Sequence, residues 1–147
     1  MRHDTRLSRL LHVLLHMADS DHPMTSEHIA RMLGSNPVVV RRIMAGLRER
    51  GYVSSEKGHG GGWRLATPLD HITVLDVYKS LGEPDLFAFG LSDPAPRCLV
   101  ERTVNETVSG TIAMARQALL GRFAELKLSQ IASELGDRAR HAPHPYS

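Results

Sequence analysis

Residues 56–65 read Glu56-Lys57-Gly58-His59-Gly60-Gly61-Gly62-Trp63-Arg64-Leu65. A cation, an imidazole and a run of glycines at this spacing are compatible with three kinds of chemistry. His59-Gly60-Gly61-Gly62 matches the oxyanion loop of some esterases. That reaction also needs a Gly-Xaa-Ser-Xaa-Gly nucleophile elbow, and the chain contains none. A phosphate loop needs Gly-Lys followed by Ser or Thr, whereas this run ends in Trp63. The third possibility is a glycine-tipped hairpin. Its Lys57 and His59 would then offer donors to the negative potential of a nucleic-acid groove. Nothing in the spacing pairs a nucleophile with a base, so no catalytic residue is expected.

The elements before the run decide among these. Leu7, Leu10, Leu11, Leu14, Leu15 and Ala18 recur at helical spacing and predict an amphipathic helix over 5–19. His12 and His16 fall on its other side. Asp19-Ser20-Asp21-His22-Pro23 turns the chain. Thr25 or Ser26 can cap a second helix, with Ile29, Ala30 and Leu33 inward and Gly34 as its left-handed stop. Asn36-Pro37 reads as cap and first residue of a third helix, with Val40, Ile43, Met44 and Leu47 buried and Gly51 ending it. Tyr52–Ser55 and Trp63–Leu65 are short strands joined by the glycine tip. Thr73 caps a fourth helix reaching about Leu81.

Helix, glycine turn, helix and hairpin form the order of a winged helix-turn-helix. The third helix has the size of a major groove, about 12 Å wide. Its outward residues include Val38, Arg41 and Arg42. Arginine can donate a bidentate pair to guanine, and valine can touch a thymine methyl. The free N–H groups at the helix start suit phosphate. The alternative for Arg41 and Arg42 is a solvated face with no partner.

The second half differs. Residues 82–97 are rich in Pro and Gly and read as a loop. Val100, Val104, Val108, Thr111, Ala115 and Leu119 predict a long helix over 99–123 with a stripe near the heptad spacing of an intersubunit seam. Leu128, Ile131 and Leu135 suggest a last helix capped by Ser129. The expected division is a DNA-binding domain over 1–81, a hinge over 82–98, dimerisation helices over 99–136 and an unordered tail over 137–147. The fold class is mainly α with one small β-hairpin.

Composition agrees with this plan. Residues 1–67 hold 10 Lys+Arg and 6 Asp+Glu, a balance of +4 (10 − 6), and residues 68–147 hold 8 and 10, a balance of −2 (8 − 10). The positive field lies where phosphate would be met. No apolar run approaches the roughly 20 residues of a membrane span, and the start lacks the pattern of a signal peptide. A single cysteine, Cys98, excludes an intrachain disulfide and fits a reducing cytoplasm.

Residues 25–81 resemble the Rrf-two family of bacterial winged-helix transcription regulators. The resemblance rests on Ser26-Glu27-His28-Ile29-Ala30, Leu47-Arg48-Glu49-Arg50-Gly51-Tyr52-Val53, Gly58-His59-Gly60-Gly61-Gly62-Trp63-Arg64-Leu65 and Ile72-Thr73-Val74-Leu75-Asp76-Val77. It implies a regulator that binds double-stranded DNA as a homodimer with paired long helices, and the expected action is repression by blocking polymerase. It also implies base contacts from Val38, Val39 and Arg41 and minor-groove contact from Lys57. Ser26, Asn36, Pro37, Arg42, Gly58, His59 and Gly60 complete the expected interface. Many relatives carry an aromatic where this chain has Val39, which implies a different operator preference.

Iron–sulfur members of the family carry three cysteines between the fourth helix and the dimer helix; this chain has Cys98 alone. No family-type cluster and no other cofactor is expected. Cys98 keeps two readings. Arg97, Arg102 and a helix start favour thiolate chemistry and hence a redox switch; the other reading is an ordinary buried small residue. His12 and His16, one turn apart, are assigned to a helix surface or dimer interface, and no metal site is expected. His141 and His144 belong to the tail. A winged helix used only as a protein-interaction module is the competing function, and the cationic wing argues against it.

Overall fold

The first helix, α1 (Arg6–Ala18), takes no cap bond from Thr5; Asp4 Oδ1 accepts from the Arg6 N–H at 3.0 Å. In the computed structural model, which describes residues 3–91 and 95–141, its buried side is Leu10, Val13, Leu14 and Met17. The expected face included Ala18, which is exposed, and omitted Val13 and Met17. Counting i, i+3, i+4, i+7 from Leu10 yields the observed set.

Side-chain caps fix the next elements. The Thr25 side chain accepts from the His28 N–H and opens α2 (Ser26–Leu33), which Gly34 closes at φ +62°. Pro37 starts α3 (Pro37–Glu49), whose buried residues are Val40, Met44 and Leu47; Ile43 is half-buried. The strands β1 (Val53–Glu56) and β2 (Gly62–Leu65) pair antiparallel, from Val53 with Leu65 to Glu56 with Gly62. A single 3-10 turn at Leu69–His71 leads to α4 (Val74–Ser80). Thr73 and Asp76 there form a reciprocal capping box, each side chain accepting from the other's backbone N–H.

Beyond the loop come α5 (Leu99–Glu125) and α6 (Leu128–His141). None of the residues of α5 is buried. It touches α4 near its end, where the Tyr78 and Phe123 rings lie 6.1 Å apart. The chain then returns to the first half. The Val74 N–H donates to Leu126 O at 2.8 Å and the Leu128 N–H to Ile72 O at 2.9 Å. Leu128 is fully buried in the same core as Leu10, Ile29, Met44 and Trp63. Burial of such a side chain contributes about 1.5–3 kcal/mol. So the start of α6 packs into the core formed by residues of α1 to α4.

Two further details depart from expectation. Because α6 starts at Leu128, Ser129 lies inside its first turn and cannot cap it. Gln130 takes that task, its side chain accepting from the Lys127 N–H at 2.9 Å. The helix also continues past residue 137 to His141, aided by the Arg138–Glu134 pair at 2.7 Å. Of the expected tail, residues 142–147, including His144, lie outside the described residues.

Candidate nucleic-acid interface

The start of α3 is built by Asn36. Its Oδ1 accepts from the N–H groups of Val38 and Val39, both at 3.1 Å. That bond satisfies two of the helix's free donors, and Pro37 needs none. Val38 then stands 63% exposed, the right state for an apolar contact to a base. Val39 is half-buried, while Arg41 and Arg42 are exposed one turn further on. Arg41 Nη2 lies 3.6 Å from Glu27 Oε1 on α2.

The neighbouring residue on α2 reaches the other way. Ser26 Oγ accepts from Trp63 Nε1 at 3.1 Å. Trp63 is also paired in backbone with Met24, through bonds of 2.9 and 2.8 Å. The guanidinium of Arg48 on α3 sits over the Trp63 ring, 5.7 Å from its centroid. The hairpin is thereby fixed to both helices of the motif. Arg64 secures its other side, bonding Glu56 at 2.9 Å and Asp21 O at 3.2 Å.

At the tip, Lys57, Gly58, His59 and Gly60 are all exposed. The glycines divide into two groups. Gly58 and Gly60 have positive φ and open space around them, which leaves that backbone accessible. Gly61 is crowded by the hairpin's own backbone, at Glu56 O and Gly58 O, and Gly62 faces Met24. A Cβ on Gly62 would lie 2.5 Å from Met24 O, at φ +149°. Glycine there permits the Met24–Trp63 pairing.

Cys98 sits at the start of α5 and is exposed, so the reading as a buried residue does not hold. Its side chain makes no capping bond. Glu27, Arg48 and Trp63 were missed as interface-organising residues. One signal existed for Trp63: a buried indole N–H needs an acceptor, and Ser26 supplies it.

A sequence model of the Rrf2 family, described as an iron-dependent transcriptional regulator, matches residues 3–134. The chain belongs to the Rrf2 family. Among curated relatives, the helix-turn-helix-type protein YwnA of Bacillus subtilis (strain 168) is 29% identical over 133 residues, covering 90% of this chain and 98% of YwnA. Protein rrf2 of Nitratidesulfovibrio vulgaris is also 29% identical over 133 residues, covering 90% of this chain and 85% of its own. Solved structures share the fold. A Lactobacillus plantarum protein superposes with a TM-score of 0.72 at 21% identity, over 90% of both chains. CymR, the global cysteine regulator of B. subtilis, gives 0.60 at 22% identity, over 91% of this chain and 98% of its own.

As an Rrf2 protein the chain is a helix-turn-helix transcriptional regulator and not an enzyme. Rrf2 regulators bind DNA. Among the described residues no helix is long and apolar enough to cross a membrane. Against the iron in the family description stands a donor set of one exposed thiol per chain. Among the described residues, no three or more His, Cys, Asp or Glu side chains gather where a metal ion could sit.

Proposed function

We propose that this Rrf2 protein represses transcription in the cytoplasm as a homodimer on a near-palindromic operator. One observation supports this most: the Asn36-capped start of α3, with Val38 and Arg41 exposed beside it. Two such helices would enter successive major grooves about 34–36 Å apart. Val38, Val39 and Arg41 would meet bases. Ser26, Asn36, Pro37 and Arg42 would meet or flank the backbone. Lys57, with Gly58, His59 and Gly60, would enter the minor groove. Trp63 leaves the Ser26 hydroxyl hydrogen free to donate to a phosphate.

The dimer would form along α5. Leu99, Val100, Val104, Val108 and Met114 are exposed large apolar residues on this one helix. Thr103, Thr107 and Thr111 lie among the valines, and each bonds the carbonyl four residues back at 2.8–2.9 Å. Their hydroxyls thus already have acceptors and can be desolvated at modest cost. An apolar stripe of this kind on a soluble chain marks an interaction surface.

The same reading excludes a family-type iron–sulfur cluster. Such clusters take several Cys thiolates, and a symmetric pair of chains supplies two in all. The exposed Cys98 supports a thiol signal instead, acting where the loop meets α5. Selection of bound duplexes from random DNA, with and without oxidant, tests the proposal. A two-fold consensus with two chains per duplex supports it. Salt-insensitive or absent binding would favour the protein-interaction module. Cys98→Ser protein that responds to oxidant as the parent does would dispose of the thiol signal.

A further inference from the structure

His12 and His16 occupy successive turns on the exposed side of α1. Their rings meet edge to face, with centroids 4.5 Å apart and planes at 74°. The two Nε2 atoms converge to 2.9 Å. In the metal-free pair one nitrogen donates and the other accepts, which needs complementary tautomers. A small rotation of both exposed rings gives a second state. With both protonated at Nδ1, the two Nε2 lone pairs can then converge on one point beside the helix.

We propose that His12 and His16 form a bidentate site for a divalent late first-row transition ion. Two imidazoles one helical turn apart suit ions of this class, which bind such nitrogens at about 2.0–2.1 Å. Nickel(II) and copper(II) accept two neighbouring imidazoles with water in the remaining positions.

Preorganisation comes from the other side of the helix. Leu10, Val13, Leu14 and Met17 bury α1 in the core, so the two backbone positions are fixed before any ion arrives. The site needs neither a thiol nor DNA, and so stands apart from the proposed operator binding.

Calorimetric titration of the full chain with nickel chloride tests it, alongside His12→Asn, His16→Asn and the control His28→Asn. All three histidines are exposed, so the variants should fold. The parent and His28→Asn should share one binding component that both other variants lose. Removing one ligand of a chelate should weaken that component on the order of a hundredfold. Nickel should also raise the melting temperature of the parent by more than that of either variant. Any nickel held by other histidines would persist in all four proteins and is subtracted. Titrations of His12→Asn and His16→Asn that match the parent would overturn the site, as would a parent that takes up no nickel below millimolar concentration.

Discussion

Glu27 and Arg41, from the two helices of the helix-turn-helix, are joined at 3.6 Å, with both side chains more than half exposed. The pair lies one residue from the Ser26–Trp63 bond that fixes the hairpin. Two adjacent side chains on α2 therefore contact the recognition helix and the wing. As an exposed pair, Glu27–Arg41 contributes only about 0–1 kcal/mol to folding. Its larger effect is on where the Arg41 guanidinium points. Glu27→Gln should leave the melting temperature nearly unchanged. It should tighten binding to arbitrary DNA a few-fold, by removing a negative charge, and narrow the gap between operator and non-operator. Competition binding with both duplexes reads this directly.

Gly62 is the glycine the wing can least replace. Alanine there would clash with Met24 O and sit in a backbone region that L-residues avoid. We expect Gly62→Ala to cost about 1–3 kcal/mol, through strain and loss of the Met24–Trp63 pairing. Gly60→Ala meets no neighbour and should cost less. Trp63 is the sole tryptophan, so its fluorescence reports the thermal midpoints of both variants.

Leu128→Ala separates two views of the C-terminal helix. If α6 served only dimerisation, the substitution would alter association and leave the fold intact. Because Leu128 is fully buried in the core, we expect a loss of about 2–5 kcal/mol in denaturant unfolding.

Val104 and Val108 test the subunit seam. Val104→Asp brings two carboxylates together across a two-fold axis, and like charges so placed cost several kcal/mol. Sedimentation should find a monomer with unchanged helix content. A dimer of undiminished affinity would move the seam elsewhere.

Local chemistry made much of this fold legible in the sequence. Thr25, Gly34, Asn36-Pro37 and Thr73 each act within a few residues of themselves, and each stands where expected. The first strand lies one residue later than expected and the second starts one residue earlier, as strand ends are set by pairing partners and not by the strand itself. What stayed hidden depends on distance along the chain. The Trp63 indole finds Ser26 across 37 residues. Leu128 reaches a core assembled from the first half, and no periodicity in α6 announces that destination. The glycine run illustrates both cases. Its role as a hairpin tip follows from its neighbours, whereas the internal duty of Gly62 depends on Met24.

The central claim is that α3 reads sequence while the wing contributes charge. Fluorescence anisotropy of a selected operator duplex, titrated across salt, tests it with Arg41→Ala and Lys57→Ala. Arg41→Ala should lose about 1–3 kcal/mol of discrimination against altered operators. Lys57→Ala should weaken all duplexes alike and lower the salt slope by about one. Operator binding by both variants that matches the parent at every salt concentration would contradict the assignment.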